Sequence, residues 1–360
     1  MHDPHITLGV EEEFFLVDRE SGALACRTPE LVEQAGEALG SVVTSELILC
    51  QIETATPVCA TLDELRYELD RQRTALAKVA DAHGLGVLAA GTHPVSGWRE
   101  QEVDQEVVRY AELAERYRHL AHRQIICGCH VHLGLGERSE EIRVMNQLLG
   151  WLPTLVALSA SSPFWQGADT GYSAYRVEMW GGWPTAGFPP VVEDRAAFDR
   201  TVEQLVQVDA ITDASNLYWY ARPSLRHPTL EVRPCDTMTE LDDVVAVSGL
   251  IRGMAATALG SAGISVPHER SVLDAAMWRA ARFGLEEQLV DPLFVRLRPA
   301  AEVVEHLLDW ARPGLEQHAD AERVEEGTRR IVERGTGAAR QREVLERTGD
   351  LVEVTRSLLL

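Results

Sequence analysis

The chain has 360 residues, 45% hydrophobic and 25% charged, which supplies a large core and matches an ordinary soluble globular protein. Its formal net charge of −22 is unusual. A surface this acidic repels nucleic acid and anionic membrane, so small molecules are the expected partners, and a bound nucleotide needs a local site where metal ions and arginines reverse the sign.

No basic segment followed by an apolar stretch opens the sequence, and no run of about 18 apolar residues occurs, so a cytoplasmic protein is expected. The six cysteines, at 26, 50, 59, 127, 129 and 235, contain no C-x-x-C pair and read as thiols. Lys78 is the only lysine; the other 33 basic residues are arginines. That excludes a Walker A loop and makes a Schiff-base lysine a poor expectation, leaving arginine to handle any phosphate.

The first expected element is a strand at 8–15, LGVEEEFF, followed by a turn at Asp18–Gly22. Strand alternation puts Glu11 and Glu13 on one face and Glu12 on the other. Two like charges side by side call for a cation, although an exposed polar face on an edge strand fits the pair as well. A short helix over 29–39 and a strand over 45–57, SELILCQIETATP, come next; alternation there sets Glu46 and Glu53 on opposite faces. A capping box, Thr61 and Glu64, opens a helix over 62–82 whose apolar stripe is Leu62, Leu65, Leu69, Leu76 and Val79, with Lys78 off the stripe and Gly84 past its end.

A buried strand at 86–92, a helix at 104–122 and a strand at 124–136, QIICGCHVHLGLG, follow. His130 and His132 share one strand face and Cys127 and Cys129 the other, so the four cannot enclose one tetrahedral zinc; a histidine in a mixed oxygen and nitrogen site, or two hydrogen-bonded sheet histidines, remain. Helices are expected over 138–161 and 194–209, separated by the loop WGGWPTAGFPP. Glu231 and Arg233 share a face of the strand TLEVRPCD at 229–236, as a site pair or as a structural ion pair. Helices are expected from about 237 to the C-terminus. Arg176 in SAYRVEMW and Arg222 in YWYARPS stand beside aromatic residues, where a guanidinium either stacks or grips a carboxylate in bidentate fashion. The whole reads as one α+β domain, residues 1–360, with a mainly antiparallel sheet. Acids and a histidine facing inward from several strands, with arginines nearby, suit magnesium and phosphoryl transfer from ATP.

The segments LGVEEEFFLVD, QIETATP, AAGTHP, CGCHVHLG, TLEVRPCD, WRAARFG and GAARQRE, in this order, resemble the carboxylate-amine ligases of the glutamate-cysteine ligase type 2 (YbdK-like) family. The resemblance implies a glutamine-synthetase-like α+β fold, an antiparallel sheet curved into a funnel with helices outside. It also implies an ATP-dependent reaction in which the γ-carboxylate of glutamate, or a similar acid, becomes an acyl phosphate that an amine such as cysteine attacks. Carried over residue by residue, Glu11, Glu13, Glu53 and Glu231 would bind two or three Mg²⁺ ions. Arg233 and His130 would act at the transferred phosphoryl group, and Glu46 and His132 would lie beside the nucleotide. Arg176, Arg222 and Tyr220 would contact substrate. The chain departs from the family at Tyr220, where many relatives have an aspartate before the Arg-Pro pair, which bears on substrate choice. Relatives are commonly oligomeric, so a homo-oligomer is compatible with the resemblance. A non-catalytic metal or metabolite binder and a metal-dependent amide hydrolase are the competing readings.

Overall fold

The computed structural model describes residues 5–260 and 269–360. Its architecture grows from β1, Thr7–Asp18, twelve residues that alternate along their first half, with Leu8, Val10, Glu12 and Phe14 buried and Gly9, Glu11 and Glu13 half-buried. Helix α1 (Thr28–Leu39) and the short β2 (Val43–Ser45) follow, then β3 (Gln51–Ala55), α2 (Leu62–Asp81) and β4 (Leu85–Leu88). Strand β1 pairs along one edge with β3, over Glu11–Phe15, and along the other with β4, over Phe15–Asp18. Helices α3 (Val108–Tyr117) and α4 (His119–His122) lead into β5 (Gly128–Gly134), which pairs with Thr7–Glu12 of β1 on the same edge as β4.

Next come α5 (Arg138–Leu148), α6 (Leu152–Ser159), the two-residue strands β6 (Phe164–Trp165) and β7 (Ala168–Asp169), α7 (Tyr175–Trp180) and α8 (Arg195–Gln207). Strands β8 (Ala221–Pro223) and β9 (Leu230–Asp236) complete a seven-stranded sheet of order β2-β3-β1-β5-β9-β8, with β4 also on β1 and every pairing antiparallel. The chain ends with α9 (Leu241–Gly260), α10 (Arg270–Phe283), the hairpin β10 (Gln288–Asp291) and β11 (Arg296–Pro299), then α11 (Ala300–Gln317), α12 (Ala321–Arg334), α13 (Gly337–Thr348) and α14 (Leu351–Ser357). Helices α2, α6 and α9 pack on one face of the sheet, which leaves the other face to line a cavity. By length and composition α9 could cross a membrane, but it is largely buried against these neighbours as a core helix.

Several expected elements are shorter or broken. The 45–57 strand begins only at Gln51, because the backbone before it is taken by another segment: Leu49 N–H donates to Glu102 O and Asp104 N–H to Leu47 O. The 104–122 helix starts at Val108 and breaks at Arg118, whose φ is +50°. The 138–161 helix passes through a 3-10 turn at Leu149–Trp151, where Gly150 and Pro153 favour a break. Among the described residues the C-terminal part is helical apart from its turns and the β10–β11 hairpin, and positions 261–268 of the expected helical run lie outside the described residues. Helix α2 keeps its expected N-cap, Glu64 N–H donating to Thr61 Oγ1 at 3.1 Å, while the Glu64 carboxylate reaches back to Ala60 N–H at 2.7 Å.

On the helix-facing side of β1 the alternation buries Glu12, at 1% exposure, and Arg73 of α2 meets it in two bonds of 3.0 and 2.6 Å. Arg73 also donates to Met238 O and Thr239 O, tying β1 to the segment leaving β9. A buried carboxylate left without its cation is costly. Arg73→Met should therefore lower the unfolding free energy by about 3–5 kcal/mol in urea denaturation; a loss below about 1 kcal/mol, the range of a surface pair, would show that the pair does not hold the strand.

Candidate active site

Residues directly opposite one another in an antiparallel sheet share a face, so the register assembles the site in rungs. Glu13 stands opposite Glu53, Glu11 opposite His130, and His132 opposite both Gly9 and Glu231, with Arg222 opposite Glu231. Between β5 and β9 the ladder bulges: Cys129 opposes Cys235 and Val131 opposes Val232, so Arg233 and Pro234 together face His130. Pro234 has no N–H to lose at such a position. The bulge leaves the carbonyls of Arg233 and Pro234 to meet Arg176, which reaches them from α7 at 3.5 and 3.3 Å.

These side chains line one cavity of about 380 Å³. Among the described residues, three sets of potential metal ligands present atoms within 4.8 Å of one another: Glu11, Glu53 and His130; Glu11, His132 and Glu231; and Glu13, Glu46 and Glu53. Glu46 and Glu53, expected on opposite strand faces, come together because the chain turns between them at Leu49–Cys50. Glu13 accepts from Gly128 N–H at 2.6 Å and Glu53 from Thr44 Oγ1 at 3.1 Å, yet no guanidinium bonds to either. Burial, reinforced by the Glu46 charge, raises the Glu13 carboxyl to about 7, and burial beside like charges raises Glu46 and Glu53 as well. Burial also opposes ionisation of Glu11, but His130 Nδ1 at 3.3 Å and His132 Nε2 at 3.2 Å outweigh it and hold that carboxyl low.

Burial pushes the His130 imidazole down to about 4, so the ring is neutral at pH 7. Its Nε2 is buried with no hydrogen-bond partner, 3.9 Å from Glu13 Oε1. His132 is oriented from behind by Thr229 Oγ1, 2.9 Å from its Nδ1, and the carboxylates of Glu11 and Glu231 raise its pKa against the pull of burial. A neutral imidazole with an orphaned nitrogen, surrounded by carboxylates that burial alone would keep protonated, fits a hard divalent cation.

The cationic side is built around Glu231 and Trp180. Arg222 donates to Glu231 at 2.8 Å and Arg233 Nε lies 3.3 Å from the same carboxylate, and the two arginines outweigh burial to hold it down at about 2. Arg176 and Arg233 both sit over the Trp180 ring, 4.9 and 5.4 Å from its centroid. Arg176 Nε, Arg233 Nε and Arg233 Nη1 are buried without hydrogen-bond partners, so both forks keep spare donors on the cavity.

Two residues expected at substrate are placed otherwise. The Tyr220 ring does not line the cavity; it packs edge-on against Trp180 at 5.4 Å and Phe188 at 5.1 Å, as support behind the arginine platform. Arg222 does line the cavity, but its donors go to Glu231 and to the carbonyls of Ser215 and Leu217, so it is a strut. The structure also adds Arg109, Tyr218, Arg226 and His227 to the lining. Arg226 and His227 sit on an exposed bend and Arg109 on the exposed first turn of α3, so nothing in the sequence singles them out. Trp180 was legible: it lies four residues after Arg176, the spacing that stacks side chains on one helix face.

A family model described as glutamate-cysteine ligase family 2 (GCS2) matches residues 7–357. A Mycolicibacterium smegmatis relative named "Putative glutamate--cysteine ligase 2-2" is 41% identical over 357 residues, covering 98% of this chain and 89% of its own. A Rhodopirellula baltica relative named "Putative glutamate--cysteine ligase 2" is 38% identical over 361 residues, covering 98% and 96%. Among solved structures, the glutamate-cysteine ligase of Francisella tularensis in complex with AMP superimposes with a TM-score of 0.77 at 12% identity, covering 99% of this chain and 88% of its own. A bifunctional glutathione synthetase from Pasteurella multocida gives 0.73 at 15% identity, covering 98% and 51%. At such identities the likeness is one of fold, and the expected α+β, glutamine-synthetase-like fold is the one observed. With the family model spanning nearly the whole chain, the protein belongs to glutamate-cysteine ligase family 2.

Proposed function

We propose that the protein is an ATP-dependent carboxylate-amine ligase that phosphorylates the γ-carboxylate of glutamate, or of a similar acid, and passes the acyl group to an amine such as cysteine, with release of ADP and phosphate. The observation that carries this reading is the division of one cavity into a carboxylate side, Glu11, Glu13, Glu46, Glu53 and Glu231, and an arginine side, Arg176 and Arg233 on Trp180. Family membership supports it. The cavity suits small-molecule substrates, and the cytoplasm is the proposed compartment, where the free cysteines stay reduced.

Phosphoryl transfer needs charge neutralisation and alignment more than a covalent nucleophile. Glu11, Glu13, Glu53 and Glu231, with Glu46 and the two histidines, would hold the Mg²⁺ ions, which when bound neutralise triphosphate charge. Neutral His130 can offer a ring nitrogen without adding positive charge to the acid side. Arg233, fixed against Glu231 and Trp180, has unused donors to aim at the equatorial oxygens of the transferred group. Arg176, whose Nη1 and Nη2 contacts to carbonyls are long and whose Nε has no partner, has donors to turn to the acid substrate's carboxylate.

ADP release screened over acids crossed with amines tests the reaction. A ligase releases ADP only with both substrates present, a hydrolase needs no ATP, and a binding protein yields no product; absence of stimulation by every pair under Mg²⁺ would remove the proposal. Arg233→Ala should lower the ADP-release rate by about 10³-fold or more while circular dichroism stays unchanged, and full turnover by that variant contradicts the assigned role. A second measurement reads the carboxylates. Mg²⁺ at about 100 times its Kd should add about 2.7 kcal/mol of stability, whereas Glu13→Gln with Glu53→Gln should raise the metal-free Tm and erase the Mg²⁺ shift; a shift that survives both substitutions places the ions elsewhere.

A further inference from the structure

Three segments of the family pattern supply little of the cavity: AAGTHP at 89–94, the last residue of TLEVRPCD, and GAARQRE at 337–343. They converge in one buried cluster that ends on Arg176. Asp236 Oδ2 accepts from Ser161 N–H at 2.8 Å and from the Ser162 hydroxyl at 2.6 Å. The Ser162 Oγ in turn accepts the Arg176 N–H at 3.0 Å, at the start of α7. From the other side Gln341 of α13 donates to Ser161 O at 3.1 Å and to Ser161 Oγ at 3.2 Å, while Gly91 N–H donates to Ser161 O at 3.0 Å and Ala338 N–H to Ala160 O at 2.9 Å. Every side chain in the relay is buried, none above 2% exposed.

Packing against these side chains is tight at three glycines, where an added Cβ would force a neighbour to shift. A Cβ on Gly91 would lie 2.6 Å from Asp236 Cγ, one on Gly337 would lie 2.6 Å from Ser161 Oγ, and one on Gly128 would lie 2.0 Å from Arg176 Nη2. Burying a carboxylate here is costly: burial pushes Asp236 up to about 6, with the Arg176 charge the main opposing influence, and its Oδ1 has no hydrogen-bond partner. A neutral side chain would fill the same space more cheaply. What Asp236 adds is a fixed starting point for α7, and so for a guanidinium whose placement matters on the scale of 1 Å.

We propose that Asp236 is a positioning residue for Arg176, acting through the Ser162 hydroxyl, and that α13 locks this relay from behind through Gln341. The inference rests on the reading of Arg176 as the carboxylate-binding arginine. In steady-state rates with Mg·ATP, L-cysteine and varied L-glutamate, Ser162→Ala and Asp236→Ala raise the KM for glutamate about tenfold, the scale of one hydrogen bond, with kcat and the KM for ATP little changed. Asp236→Asn, which can accept both bonds, restores most of the loss. A uniform fall in kcat with every KM unchanged would instead indicate a merely structural role and overturn the proposal. Crystal structures of the same variants give a readout independent of substrate: the Arg176 guanidinium leaves the carbonyls of Arg233 and Pro234. If it stays in place in Ser162→Ala, the relay is wrong whatever the substrate. Arg176→Ala separates the two failures. A KM for glutamate unchanged in Arg176→Ala removes the carboxylate reading and leaves the relay to the crystals, whereas a KM raised there but not in Ser162→Ala overturns the relay alone.

Discussion

Glu13, Glu46 and Glu53 bring carboxylate oxygens within 4.8 Å of one another on a half-buried sheet face with no guanidinium bonded to any of them, and Glu11 and Glu231 extend the acidic surface across the next strands. Like charges at that separation cannot all ionise without cations: burial pushes the three acids upward, reinforced by the Glu46 charge at Glu13 and Glu53 and by the Glu11 charge at Glu46. This face therefore cannot pack against apolar helices. The helices gather on the other face, and the cavity is the space the charged face keeps open.

Holding such a face in register takes structure behind it. Strand alternation gives Glu12 to the opposite side of β1, and its two bonds to Arg73, together with the contacts of Arg73 to Met238 O and Thr239 O, pin the strand between α2 and the exit of β9. The β5–β9 bulge is a second device. It inserts an extra residue opposite His130 and leaves two carbonyls for Arg176. The arginine side thus depends on a local break in the ladder, while the acid side depends on its regularity.

Around the arginines, the aromatic residues act as a platform. Trp180 takes Arg176 and Arg233 on its ring, and Tyr220 and Phe188 pack one against the other behind it. Tyr220 thus touches the cavity only through Trp180, with no surface of its own on it. Within a chain of net charge −22, the two guanidiniums on Trp180 keep unpartnered donors, which sets the local field on this side of the cavity apart from that of the surface as a whole.

Short-range periodicity alone reveals part of this site. Alternation in LGVEEEFF sorted Glu11 and Glu13 from Glu12, the i,i+2 spacings paired His130 with His132 and Glu231 with Arg233, and the cap and apolar stripe located α2, because side-chain direction repeats every two residues in a strand and every 3.6 in a helix. Where backbone partners come from far along the chain, the pattern misled: residues 47–49 bond to 102–104, so the strand begins late and Glu46 swings to the side of Glu53. Long-range packing makes Arg222 a strut, puts Tyr220 behind Trp180, brings exposed Arg109 and Arg226 to the cavity, and joins Gly91, Asp236 and Gln341 at Ser161 and Ser162. Those placements depend on contacts between residues tens to hundreds of positions apart, and no local propensity encodes them.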